Sequence, residues 1–527
     1  MANAAPVQSP VGTTFSVGNF ALPLVLTLSL FAVSFTPRVQ GNTALVWSFW
    51  GAVLLLLAWQ TYLYGMSQRA NVQRGFHVAI HSQHYIQMSI QFSVYLYWGY
   101  FWSPVYEHML MLLAQVLFAF TFGILLSWSR GRDYILGFGP IPIIFSTNLF
   151  LWFRDDWFYM QFLMIAVGFM GKEYVRWNRE GRSVHIFNPS AFALGLFSLV
   201  LIVTNSTSLT WAPLISSTLT LAPNIYLFLF LVGLVVMYFF SITLVSGAAA
   251  LVLFGASGLY YGLNGVPYFL DSDIPAAVFL GLHLLVTDPS TSPRTPFGKM
   301  IFGALYGVGV FVLYTLLDLF GAPTFYDKLL CVPLLNLSVI AIDNFVRRFN
   351  SDNLLTLWNP AWLGGKANLA HMAIWVVVFG GMTLIERTDG QHTGDSLPFW
   401  ETACADGRVS ACDRLLLVES TYCNDNSAWA CNELGRHYRQ GLITEKDEDL
   451  AFTYFAKSCE LKFQAGCGNL LDDSLTLTDK PKDLDLRLML RQGGTNLLDL
   501  PVEDLYDRAC AHQWQFACES GGPESRT

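Results

Sequence analysis

Two polar segments interrupt the apolar sequence where chemistry is most easily housed: GRSVHIFNPSAFALGLF at 181–197 and HLLVTDPSTSPRTPFGKMIFGALYG at 283–307. In each, a proline-containing polar cluster runs into a small-residue apolar stretch. Asn188-Pro189 and Asp288-Pro289 read as breaks from which the next element starts. Helix ends of this kind leave backbone donors and acceptors without intrahelical partners. Tight loops capped by Asn188 and Asp288 account for the same residues without a ligand. A second constellation is His77, His81 and His84. On a helix they fall at i, i+4 and i+7 and share one face, which suits a transition metal, or haem through one of them. The alternative is a polar stripe at a headgroup boundary, where Gln83, Gln87 and Gln91 bond across helices.

Ionisable residues near apolar spans are costly and therefore worth naming. Lys172 and Glu173 mark an interface. Asp343 stands at helical spacing for local pairs with Arg347 and Arg348, while His283 and Asp318 are more deeply placed, as core hydrogen-bonding groups or as a proton or cation path. Arg154-Asp155-Asp156 reads as a solvated tip. No Walker loop, GxSxG, HExxH or CxxCH motif occurs, so nothing supports a hydrolase or kinase.

These residues are carried by a strongly apolar chain. Of 527 residues 53% are hydrophobic and 13% charged, about half the charge of an ordinary soluble protein. A net charge of −8 without a basic stripe argues against nucleic acid as a partner. Met1–Phe35 has no Lys or Arg, so Phe20–Thr36 reads as a retained first span rather than a signal peptide. A bilayer core of about 30 Å needs about 20 apolar helical residues. That window places spans near 20–36, 44–64, 83–103, 107–128, 137–153, 157–175 and 189–204, then 224–241, 243–263, 274–287, 299–319, 328–346 and 369–385. The expected fold is therefore all-α, a polytopic bundle of about thirteen spans. Glycine and proline at 137–140 and 255–258 point to broken or re-entrant helices, tolerated only beside protein or a wet cavity.

With a cytoplasmic N-terminus, one set of alternating loops holds Arg69, Arg74, Arg130, Arg132, Lys172, Arg176, Arg179, Arg182, Arg294, Lys299, Arg347, Arg348 and Lys366. The other set holds mostly Arg38, Glu107, Arg154 with Asp155 and Asp156, Asp271, Asp273, and Asp327 with Lys328. This is a positive-inside pattern, and an odd span number puts everything after Glu386 outside. Eight of the nine cysteines lie there, as Cys404/Cys412, Cys423/Cys431, Cys459/Cys467 and Cys510/Cys518. Each pair is eight residues apart, and even, repeated spacing suits disulfides in an oxidising compartment; metal ligands usually stand closer. The tail repeats a Cys–turn–Ala/Gly-Cys unit with helical spacing between, the pattern of a helix-pair solenoid.

The tail, roughly 398–520, resembles cysteine-rich Sel1-like repeats, in which the pair links neighbouring helices. In the membrane part, 183–195, 286–307 and LLNLSVIAIDNFVRR at 334–348 resemble, in order, the RnfD membrane component of Rnf electron-transport complexes and its NqrB homologue in the sodium-pumping NADH:quinone reductase. The likeness covers roughly 110–350. It also extends to divergent UnbU-type membrane proteins of enediyne clusters. It implies extra spans at 1–110, a two-halved helical core at 110–350, a last span and linker at 351–390, and an extracytoplasmic Sel1-like domain at 391–527. It further implies a bacterial inner membrane and electron transfer, coupled in some members to sodium or proton movement. His185, Asn188, Thr287, Asp288, Arg294 and Thr210 become candidate cofactor-binding residues, with other membrane or periplasmic proteins as partners of the repeats.

The family attaches FMN through a phosphoester to a threonine. The corresponding loop at 204–224 lacks that motif, with Thr210 and Thr218 the nearest residues, so a flavin (FMN or riboflavin) is expected to be noncovalent. The alternative is a non-redox transporter or assembly scaffold that keeps the fold.

Overall fold

The computed structural model describes residues 17–270, 272–348, 366–389, 392–424, 427–461 and 464–471. The first layer is α1 (Ala21–Val33), the short turn α2 (Pro37–Gln40) and α3 (Thr43–Ala70). Asn42 starts α3 by accepting from Ala44 N and Leu45 N, and Asn71 ends it in the left-handed region (φ 48°). Strand β1 (Phe76–Val78) follows.

A five-helix set comes next: α4 (Ser82–Phe101), then the turn α5 (Pro104–Glu107) running into α6 (Met109–Ser129), then strand β2 (Tyr134–Leu136). It continues with α7 (Pro140–Asn148) and α8 (Phe158–Tyr174), the hairpin strands β3 (Arg176–Arg179) and β4 (Arg182–His185), and α9 (Pro189–Val203). A short helix α10 (Ala212–Thr218) bridges to a second set. That set is α11 (Ile225–Phe240), α12 (Thr243–Asn264), α13 (Ala276–Leu284), α14 (Pro296–Leu319) and α15 (Asp327–Arg348).

The two sets repeat one packing scheme. In the first, α7 lies on α4 and α6, α6 on α8, and α8 on α9; in the second, α13 lies on α11 and α12, α12 on α14, and α14 on α15. Equivalent helices meet across the middle, α4 with α11 and α9 with α15. The third helix of each set has only nine residues. Neither α7 nor α13 is long enough to cross a bilayer, which takes about 20 residues.

Among the described residues six helices are long and apolar enough to cross a membrane, or seven if the pair Leu214–Leu221 and Ile225–Phe240, bent by 98°, counts as one span. The count of about thirteen is therefore not reproduced there; α4 has 20 residues but is not apolar enough, and the other apolar segments form shorter or bent helices. Outward faces of the long helices carry exposed apolar side chains such as Leu55 (74%), Leu263 (76%) and Val377 (73%). A water-facing surface does not carry such a belt, and a bilayer covers it.

Ion pairs link the charged loops within each end of the bundle. Arg130 pairs with Glu173, His77 with Asp133, and Glu180 with both Arg294 and Arg347, all at one end of the bundle. At the other end Arg38 pairs with Asp155 and Arg387 with Asp273.

After α16 (Ala367–Leu384), the tail forms α17 (Leu397–Ala405), α18 (Ala411–Asn424), α19 (Ala428–Gln440), α20 (Glu448–Glu460) and α21 (Gln464–Leu471). Each packs on the next. Disulfides Cys404–Cys412, Cys423–Cys431 and Cys459–Cys467 tie the end of one helix to the start of the following one. Cys510 and Cys518 lie outside the described residues. The tail sits at the end opposite the basic loops: Arg408 donates to Gly265 O at 2.9 Å, and Arg414 pairs with Asp318 at 3.4 Å.

Candidate functional site

The two motif segments meet. His185, Asn188, Pro189 and Ser190 from one half, and Leu284, Thr287, Asp288 and Ser290 from the other, line a single cavity of about 140 Å³. Gln83, His84 and Gln87 of α4, Lys172 of α8, and Gly139 to Ser146 at α7 complete the wall. The N-terminus of α7 and the C-terminus of α13 both reach this cavity, so the two short helices approach it with opposite polarity. Discontinuous helices that end at a polar cavity supply partial charges of both signs.

Local sequence explains the placement. Asn188 Oδ1 caps α9 through Ser190 N (3.1 Å), while its Nδ2 donates to Leu285 O (3.1 Å) across the halves. Asn336 on α15 binds both segments, accepting from Asn188 N at 3.1 Å and donating to Thr291 O at 3.2 Å. The far end of α7 is pinned by a buried amide network. Gln115 and Asn148 exchange bonds of 3.0 and 2.6 Å, and Gln161 joins Gln115 at 3.1 Å. Such a network is stable in an apolar interior only when its members are satisfied.

Within the cavity, Ser290 Oγ donates to Asp288 Oδ1 at 2.7 Å and stands 2.9 Å from His185 Nε2. With the proton on Nε2, His185 donates to Ser290 and Ser290 to Asp288, a three-group relay at the cavity mouth. Burial raises the Asp288 pKa, but the hydrogen bonds and charge of His185 and the bonds from Ser290 outweigh it and hold this carboxyl below its ordinary value. Thr287 points its hydroxyl at His283 O (2.7 Å) and serves the backbone.

Other expected residues lie elsewhere. Arg294 turns from the cavity to Glu180, and its backbone N–H donates to Asp343 Oδ1 at 3.1 Å. Asp343 does not pair with Arg347 or Arg348: its partner is Arg179 of the hairpin at 2.6 Å, and Arg347 goes to Glu180. The hairpin turn makes this possible, because Glu180 (φ 55°) and Gly181 (φ 78°) form a two-residue turn in the left-handed region, tolerated most readily by glycine.

Nor do the three histidines share one helix face. His77 lies in β1, paired with Ile135, His81 is the residue before α4, and only His84 is inside the helix and at the cavity. The strand pairing of 76–78 overrides the helical spacing. Among the described residues no group of three His, Cys, Asp or Glu side chains is placed to hold a metal.

Thr210 is remote from this cavity and buried; its hydroxyl bonds Thr207 O at 3.0 Å and faces Tyr326 Oη at 3.3 Å. Thr218 is likewise buried, with its hydroxyl on Ile215 O at 3.3 Å. Sequence reasoning missed Asn336 as the joint between the motifs, and Lys172 as a cavity group. The signal for Lys172 was available, since a lysine following Gly171 at the end of an apolar helix can turn inward.

A larger cavity, about 490 Å³, lies at the opposite end between the bundle and the tail. Phe269, Tyr314 and Phe325 give it aromatic walls, and its charged groups form two pairs, Lys328 with Asp327 at 2.9 Å and Arg414 with Asp318 at 3.4 Å. A cavity of about 150 Å³ holds a benzene-sized molecule, whereas larger organic ligands occupy about 300–1,000 Å³. The smaller cavity is therefore too small for a flavin ring, and the larger one has volume enough.

No protein-family model, curated protein or solved structure matches the chain.

Proposed function

We propose that this chain is a divergent membrane component of the RnfD/NqrB-like kind, working in an electron-transfer complex linked to ion movement. The observation that carries the reading is the convergence of the NPSA and TDPST segments, one from each repeated half, on a single charged cavity between opposed helix ends. These are the residues on which the family resemblance rests, and repeated halves are what that resemblance implies. On this reading the small cavity handles a proton or small ion, with His185, Ser290 and Asp288 as the relay and Lys172 as the compensating charge. The larger cavity has the volume for a noncovalent flavin, with Phe269, Tyr314 and Phe325 as ring neighbours and Arg414, paired with Asp318, as the polar contact. A flavin bound there supplies electron transfer.

On the same reading the basic loops face the cytoplasm of a bacterial inner membrane, and the tail is a periplasmic Sel1-like module that docks a partner protein. Disulfide-tied consecutive helices support the module, since stacked helix pairs present extended binding surfaces.

The test is the visible spectrum of the full chain purified from its native membrane, before and after reconstitution with FMN or riboflavin. Flavin bands that decline in Arg414→Ala support the redox reading. A protein that stays colourless under both conditions sinks it. The second reading, a non-redox transporter or scaffold, is favoured by the small size of the cavity that joins the two motifs. It predicts ion flux in proteoliposomes without any electron donor.

A further inference from the structure

We propose that the cavity between the two halves binds one small monovalent anion, of the size of nitrate or formate. The inference rests on the reading that this cavity handles an ion, and it names the class of that ion. Among the described residues Asp288 is the one carboxylate of the cavity wall. Its Oδ1 accepts from Ser290 N at 2.9 Å and from Ser290 Oγ at 2.7 Å, and its Oδ2 faces His185 Nε2 at 3.8 Å. The wall also carries the Lys172 ammonium. Among the described residues no carboxylate lies within ion-pair distance of Lys172, and no group accepts a hydrogen bond from its Nζ. Glu173, its neighbour in the chain, is taken by Arg130 at 3.0 Å and by Arg132 at 3.6 Å.

With Asp288 served by Ser290 and His185, the Lys172 ammonium is the surplus charge of the wall. An ammonium drawn out of water without a counter-charge is costly, and one bound negative charge recovers that cost. The group can be reached, because Lys172, His84 and Gln87 are half-buried and Gln83 is exposed. Among the described residues the side-chain amides of Gln83 and Gln87 have no protein partner, so their N–H groups are left for a ligand, beside the His84 imidazole. Their carbonyl oxygens serve a cation equally well, and the ammonium decides between the two by repelling one. Arg176, the strand partner of His185, adds positive potential on the approach; among the described residues no carboxylate is within ion-pair distance of it. The volume sets the size. About 140 Å³ holds a benzene-sized molecule, enough for nitrate or formate and too little for a phosphorylated metabolite.

The experiment is titration calorimetry of the full chain in nanodiscs with sodium nitrate and with sodium formate. Sodium gluconate, whose anion is too bulky for the cavity, is the control for sodium and ionic strength. Saturable heat is expected from nitrate and formate and none from gluconate. Lys172→Met is expected to weaken anion binding about tenfold or more, and Gln87→Leu about threefold, in chains that melt like the parent. The second variant serves if the first does not fold. Asp288→Asn is expected to tighten anion binding, because it removes the negative charge from the wall; a merely structural role would not produce a gain. No saturable heat from either anion, or unchanged binding in the folded Lys172→Met and Gln87→Leu chains, overturns the proposal. Saturable heat from sodium gluconate that Asp288→Asn abolishes also overturns it, and leaves the cavity as an ion site for a cation. Anion binding by a protein that stays colourless with added flavin supports the site while the redox reading fails.

Discussion

Arg179 Nη2 lies 2.6 Å from Asp343 Oδ2, across 164 residues of sequence, and both side chains are more than nine-tenths buried. The pair joins the β3–β4 hairpin of the first half to α15 of the second. Asp343 also accepts from Arg294 N, and the same guanidinium donates to Ser292 O at 3.1 Å. His185 ends this hairpin and Ser292 closes the TDPST loop, so one ion pair sets the spacing of both motif segments.

Breaking one partner leaves the other charge buried. Arg179→Ala or Asp343→Asn should each destabilise the bundle by about 3–5 kcal/mol. The double variant should lose less than the sum, because neither charge is then stranded. Thermal unfolding in nanodiscs measures this; losses of under about 1 kcal/mol, the value of a surface pair, would remove the pair from its role as a strap.

Asp288 gives the cavity an acid limb. Its pKa is lowered in the folded chain, so its contribution is present above the unfolded value and is lost as pH falls through the folded one. Stability of the cavity should therefore decline in acid, and Asp288→Asn should flatten that decline while leaving the neutral-pH fold intact. Unfolding curves across acidic pH check it, with an unchanged slope in the variant as the contrary result.

Glu419 behaves oppositely. Burial raises its pKa, and His437 only partly offsets this. A group raised in the folded state contributes most below its unfolded value and loses that contribution as pH rises through the folded one. At neutral pH, Glu419→Gln should thus leave the tail as stable as the parent or more so. A tail that melts markedly lower in this variant would show that the ion pair with His437 dominates.

Gly303 and Gly307 let α14 lie against α12. A Cβ at Gly303 would run into Val245 O, and one at Gly307 would stand 2.9 Å from Val252 Cγ1 and 3.0 Å from Ala249 O. The obstacle at Gly303 is backbone, so it cannot rotate away. Gly303→Ala should force the helices apart at about 1–3 kcal/mol, as small-residue seams in membrane bundles predict. An unshifted melting temperature would mean the seam relaxes freely.

Covalent flavin at Thr210 should be absent. The hydroxyl that would form the phosphoester is buried and hydrogen-bonded. In-gel fluorescence of the denatured chain should show no flavin that Thr210→Ala removes; a band lost in that variant would contradict the placement.

Apolar runs and cysteine spacing were sufficient on their own for a helical membrane chain and for the three described disulfides. These properties are local or periodic: each follows from neighbours within a helix length, or from an eight-residue spacing. The NPSA and TDPST segments were legible as helix breaks for the same reason, since proline after Asn188 or Asp288 acts on its own neighbourhood. What no pattern revealed were partners fixed by packing. The bond from Arg179 to Asp343 replaced the nearer Arg347, and strand pairing took His77 out of the expected helix face. The spans near 137–153 and 274–287 became nine-residue helices because a polar cavity and a buried amide network end them early. Hydropathy averages over a window and is blind to such ends. Side chains more than a hundred residues apart met only when the two halves closed on one another, and the site came into being with that closure.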